Sequence, residues 1–155
     1  MTGMPEPVTV WMVHLRRGVA PSEVEGTLSL DADTLVFTRR TGEVTRFRLA
    51  DAHRAKRLRG SPVLMLRWRR DAERRETAFY FRQPPPLEPP DPTTTSLRSA
   101  GVAPSPMAAM RRPSKRRQKR SNAQYLAMSG GMLKPTLKAW ASEVSAGIAA
   151  TRGGG

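Results

Sequence analysis

Val63-Leu64-Met65-Leu66-Arg67-Trp68 and Thr77-Ala78-Phe79-Tyr80-Phe81 are the two stretches that decide the fold. Leu64, Leu66 and Trp68 alternate in the first, and Thr77, Phe79 and Phe81 in the second, so each set lies on one face of an extended chain. The charged interval Arg69 to Glu76 reads as the loop that joins them. The pair is therefore an antiparallel hairpin with an aromatic inner face.

The same period continues toward the N-terminus. Val44 to Leu49 turns Phe47 and Leu49 inward and Arg46 and Arg48 outward, behind a hairpin turn at Thr41-Gly42. Leu35 and Phe37 follow the turn Asp31-Ala32-Asp33, where short acidic side chains can bond their own backbone. Before it, Val24, Gly26, Leu28 and Leu30 alternate with Glu25, Thr27 and Ser29. Val8 to Leu15 is a near-continuous β-branched and aromatic run, suited to cover on both faces. Only residues 51 to 59 are ambiguous, because Ala52, Ala55 and Leu58 suit a strand or one helical turn. They are read as a strand running into Gly60-Ser61-Pro62. Residues 8–83 thus predict a mainly β domain, an antiparallel barrel or sandwich. Its inward residues are Leu28, Leu30, Leu35, Phe37, Phe47, Leu49, Leu64, Leu66, Phe79 and Phe81.

Composition sets the limits of this domain. Leu, Ile, Val and Phe number 28 of 155 residues, a fraction that with a net charge of +14 falls in the range of disordered chains. The average mixes unlike halves, since 20 of the 28 lie within residues 8–82. One small core and one extension follow. From Pro84 to Met110 there are eight prolines and few large apolar side chains, so this stretch reads as extended coil. Residues 111–120 then hold Arg111, Arg112, Lys115, Arg116, Arg117, Lys119 and Arg120 without one acid, a run that repels itself when free. Together 84–121 is expected to be a disordered linker, first Pro-rich and then Arg/Lys-rich. Residues 122–151 follow as one or more amphipathic helices. Leu126, Leu133, Leu137, Trp140, Val144 and Ile148 share a helical face, Asn122 is a candidate cap, and Pro135 suits the first turn of the longer helix.

Antiparallel hairpins ending in an aromatic strand, then an amphipathic helix with Trp140 in mid-face, resemble the pleckstrin-homology superfamily. The matching pieces are Glu25 to Phe37, Val44 to Leu49, Val63 to Trp68, Glu76 to Phe81 and Leu137 to Val144. The resemblance implies two near-orthogonal sheets forming a barrel, with the helix plugging an open corner. About fifty residues separate the last strand from that helix, where the superfamily has a short turn. The whole chain also resembles uncharacterised actinobacterial proteins of this kind with a basic C-terminal extension. That likeness rests on Thr77 to Phe81, on Pro84-Pro85-Pro86-Leu87-Glu88-Pro89-Pro90, and on the basic run leading to Asn122-Ala123-Gln124-Tyr125-Leu126.

For function the sequence gives a class rather than an activity. There is no Cys, only His14 and His53, and no nucleophile elbow, phosphate loop or paired carboxylates. A non-enzymatic protein is expected, without metal or cofactor. The apolar run Val8 to Leu15 is too short for a membrane span and precedes Arg16-Arg17 instead of following them, so a cytoplasmic chain is expected. The seven cations of 111–120 are the main binding candidates, since closely spaced charge attracts any polyanion. Their partner could be nucleic acid, an anionic membrane surface or an acidic protein, or the run could be a solubilising tail. Localisation would follow the partner, at the membrane periphery or the nucleoid. By the pleckstrin resemblance, Arg40, Arg46 and Arg48 form a second candidate, a basic residue on one strand and a basic-x-basic pair on the next that could hold a lipid headgroup. The terminal helix could dock on its own domain, pair with another copy or lie on a membrane. Its few cations, Lys134 and Lys138 beside Glu143, favour docking. The first reading is a pleckstrin-like binding or scaffolding module with a basic arm and an unknown protein partner. The alternative is a sequence-independent nucleic-acid or ribosome-associated protein.

Overall fold

The computed structural model describes residues 3–16, 18, 22–84 and 115–154, with backbone alone for 115–122. The protein is mainly β with a C-terminal helix. Seven strands, β1 (Val8–Leu15), β2 (Glu23–Asp31), β3 (Thr34–Arg39), β4 (Val44–Arg48), β5 (Ala52–Arg57), β6 (Val63–Arg70) and β7 (Glu73–Tyr80), form one antiparallel sheet. Their order is β4-β3-β2-β1-β7-β6-β5. The sheet is not closed into the barrel that the pleckstrin resemblance implies, because β4 and β5 remain its two edges.

The sheet is nevertheless curled. Phe47 on β4 stands edge-on to Trp68 on β6 at 5.2 Å and to Phe79 on β7 at 5.7 Å between ring centroids, so distant strands of the order share one core. All ten residues assigned inward are at most 8 % exposed. β1 is covered on both faces, with Val10 and Met12 in the main core and Val13 in a second cluster with Val63 and Ala78.

Two segments differ from the reading of the sequence, each for a local reason. The interval Arg69 to Glu76 is not a loop. The hairpin runs to Arg70↔Glu73 and turns on Asp71 and Ala72 alone, whose φ values of 51° and 65° fit a type I′ turn. Arg67↔Glu76 and Arg70↔Glu73 oppose unlike charges across the strands and favour the longer ladder. In β5 the alternation fails because the register shifts between Ala52 and Arg54, a bulge that turns both Ala52 and Ala55 inward three residues apart.

Gly26 on β2 lies where the inner face is tightest. A Cβ there would stand 2.4 Å from the Thr38 carbonyl oxygen and 2.6 Å from the Phe37 ring. The Thr38 oxygen belongs to the backbone and Phe37 is fully buried, so neither can yield cheaply. Gly26→Ala is expected to cost about 1–3 kcal/mol by overpacking, read from urea unfolding at an unchanged m-value. A loss below a few tenths of that would show that β2 and β3 can separate locally.

Contacts divide the chain into a unit of Met1–Pro84 with Leu126–Gly155 and a unit of Pro85–Tyr125. Among the described residues two helices follow the sheet, α1 (Lys115–Met132) and α2 (Lys134–Gly153). α1 starts at Lys115, ahead of the Asn122 cap read from the sequence, since Lys, Arg and Gln are good helix formers. α2 starts with Pro135 in its first turn, where a missing N–H costs nothing. It packs on β5, β6 and the 3-10 turn Leu49–Asp51 between β4 and β5, with Leu137, Trp140, Val144 and Ile148 buried. Trp140 is 1 % exposed and meets Phe81 edge-on at 6.0 Å. Of the disordered linker expected over 84–121, residues 85–114 lie outside the described residues, and 115–121 belong to α1 instead.

Candidate anion-binding surfaces

Cations dominate every surface that the sequence singled out, so their acidic partners decide which are available. Arg111 and Arg112 lie outside the described residues. Lys115, Arg116, Arg117, Lys119 and Arg120 occupy the first turns of α1, which contain no acidic residue. A helix N-terminus carries partial positive charge, so cations there are mutually unfavourable until an anion arrives. Arg40 stands in the β3–β4 turn and is tied to Glu25 at 3.2 Å. Arg46 and Arg48 lie two residues apart on the outer face of edge strand β4, neither in an ion pair among the described residues. Neighbouring Arg39 pairs with Glu43 within the same hairpin.

The inner face carries one polar cluster at an open end of the core. Thr77 is fully buried, and its hydroxyl oxygen accepts from Trp68 Nε1 at 3.0 Å. The same hydroxyl lies 3.0 Å from His14 Nδ1. Burial lowers the His14 pKa from the ordinary imidazole value, and Arg75, Arg39 and Arg16 lower it further. The neutral ring then accepts the Thr77 proton, which satisfies both groups. The native protein therefore binds fewer protons than the unfolded chain between the lowered pKa and about 6.5. Stability is expected to fall as pH drops through that window and to level off below it. His14→Gln should flatten this part of the profile, measured by urea unfolding between pH 5 and 7.5. An identical profile in the variant would show that His14 titrates alike in both states. These contacts make His14 structural.

A cleft of about 470 Å³ at the end of β5 has no signature in the local sequence pattern. β5 begins opposite Trp68, while β6 runs on to Arg70, which leaves a notch beyond the strand end. Arg54 (β5), Arg67 and Arg69 (β6), and Arg74 (β7) line it, with Trp68 and Arg75 as one wall. Arg75 lies 5.6 Å above the Trp68 ring and bonds Glu73 at 2.9 Å. At the other wall Arg152 of α2 donates to the backbone oxygens of Ala52 (3.4 Å) and His53 (3.3 Å) and to His53 Nδ1 (3.2 Å). Local desolvation, then Arg69, Arg152 and Arg74, lower the His53 pKa. Glu76, the acid in the lining, is held by Arg67 at 2.6 Å.

Among the described residues no three His, Cys, Asp or Glu side chains cluster as metal ligands. Nor is any described helix long and apolar enough to cross a membrane. Compared with known proteins, the chain matches no family model and no curated protein.

Proposed function

We propose that this protein is a non-enzymatic binding or scaffolding module of pleckstrin-homology-like build, whose basic arm contacts a polyanionic surface while the β-unit holds a protein partner. What carries the pleckstrin-like part is the placement of α2. It packs on the turn and edge strand that follow β4, where the open sheet leaves a gap, and anchors there through Trp140. A helix docked in that way uses its apolar face internally, so the charged arm and the outer sheet are the surfaces that remain for partners. The arm supports the second part by its composition, seven cations and no acid in ten residues. No aromatic residue interleaves with them, which favours attraction by charge over base stacking.

Affinity recovery of the full chain from native lysate, with and without nuclease, tests this reading. Nuclease-resistant recovery of one protein, or co-sedimentation with anionic vesicles, supports it. Recovery of ribosomal or nucleoid components alone, lost after nuclease, overturns it in favour of a sequence-independent nucleic-acid binder.

A further inference from the structure

The strand register brings together cations that the sequence scatters. Arg54 stands directly opposite Arg67, and Arg69 directly opposite Arg74. Like charges at directly opposed positions destabilise a sheet, and here two such pairs adjoin on one face. Unlike Arg39 and Arg40 at the β3–β4 turn, three of the four are not balanced. Glu76 serves Arg67, and Arg54, Arg69 and Arg74 form no ion pair among the described residues. Opposed residues lie about 5 Å apart and alternate residues of one strand about 7 Å apart, so the guanidinium stems form a grid of that mesh.

We propose that this cleft is a binding site for a compact anion carrying two or more closely spaced phosphates. Guanidinium groups match phosphate oxygens two at a time, and a cluster of them on a rigid sheet is preorganised for several phosphates at once. The bound anion offsets the repulsion that the two arginine pairs otherwise build into strands β5 to β7. Arg152, fixed by two backbone carbonyls and the His53 ring, closes the cleft from the helix side. The cationic field is also bounded. Beyond Arg54 and Arg67 the same groove passes to Leu58 and Met65, with Lys56 as its last cation, and at the other end the hairpin stops at Asp71-Ala72. A long nucleic-acid backbone needs a line of charge that continues, whereas a small polyphosphate fits between these limits. The cleft volume lies within the usual range for small-ligand sites. This site does not depend on the arm.

The experiment uses the full chain with the seven cations of 111–120 replaced by Gln, so that the arm cannot bind and its role is not at issue. Inorganic tripolyphosphate is titrated against orthophosphate at equal ionic strength, by calorimetry and by NMR of the His53 ring. Tripolyphosphate is expected to bind at least about tenfold more tightly than orthophosphate and to raise the His53 pKa, because the anion offsets the neighbouring guanidinium charges. Arg69→Gln and Arg74→Gln should each weaken it by about tenfold, the loss of one charge-assisted contact, while Arg46→Gln on β4 leaves it unchanged. ATP and inositol trisphosphate in parallel identify the carrier, and tighter binding of either supports the site. Binding no tighter than orthophosphate, or insensitivity to Arg69→Gln and Arg74→Gln, overturns the proposal. Preference for duplex DNA over tripolyphosphate at the same residues overturns it too, in favour of a polymer surface. Should a substituted chain fail to melt cooperatively, the His53 titration in the unsubstituted sheet decides: an unmoved pKa under saturating tripolyphosphate refutes the site.

Discussion

Trp140→Ala is expected to lower the unfolding free energy by about 3–5 kcal/mol, the range for deleting a buried aromatic side chain. The side chain is 1 % exposed, meets Phe81 edge-on and belongs to the main core that also holds Leu49, Ala52 and Ala55. Its loss therefore opens a cavity where α2 meets the sheet, and small neighbours such as Ala52 and Ala55 cannot fill it. Native domains have only about 5–15 kcal/mol in total, so the variant should unfold at a much lower urea concentration. Trp140→Phe keeps an aromatic ring in place and should recover a large part of the loss. Far-UV circular dichroism is the suitable probe, because Trp11 and Trp68 also fluoresce. A loss under about 1 kcal/mol would mean that α2 leaves the sheet readily and that its apolar face is open to other molecules.

This anchor was legible because a helical stripe is a local pattern. Leu137, Trp140, Val144 and Ile148 repeat at three and four residues, and all four are buried. The alternating strands were legible for the same reason, as Leu28, Leu30, Leu35 and Phe37 show. Where local pattern failed, a specific device intervened. The bulge after Ala52 imposes a spacing of three on a strand, which looks helical in sequence. The hairpin end of β6 and β7 looks like a loop because its residues are charged, yet its pairing of Arg67 with Glu76 and Arg70 with Glu73 is what a ladder needs. The cleft lies deeper still. Arg54, Arg69 and Arg74 come from three strands, and in a chain with 22 arginines nothing local separates them from the others. Their meeting is a property of register, and only the paired sheet fixes register. Arg40, Arg46 and Arg48 show the converse. Their spacing stood out in sequence, but the structure ties Arg40 to Glu25 and leaves the other two on an open edge.

Replacing Arg111, Arg112, Lys115, Arg116, Arg117, Lys119 and Arg120 by Gln is expected to remove most of the salt dependence of polyanion binding. If all seven neutralise phosphates of B-form DNA, the slope of log K against log salt approaches roughly minus six, from about 0.9 per contact. Between 50 and 200 mM salt that slope corresponds to an affinity loss of about 10³- to 10⁴-fold in the unsubstituted chain. Anionic vesicles should show the same trend with a different steepness, because there the attraction is about 1 kcal/mol per cation near the surface. The seven residues follow the last strand, β7, by thirty positions or more in sequence, so the melting curve of the β-unit should stay where it is. That constancy separates loss of binding from loss of fold. Fluorescence anisotropy with a labelled duplex, measured for both chains across the salt range, gives the two slopes directly. A Gln variant with an unchanged slope would place the interaction on the sheet's own arginines, starting with Arg46 and Arg48, which pair with no carboxylate among the described residues. An intact chain that binds neither duplex nor vesicle at 50 mM salt would reduce the arm to a solubilising spacer, because counterion release favours every polyanion most strongly when salt is low.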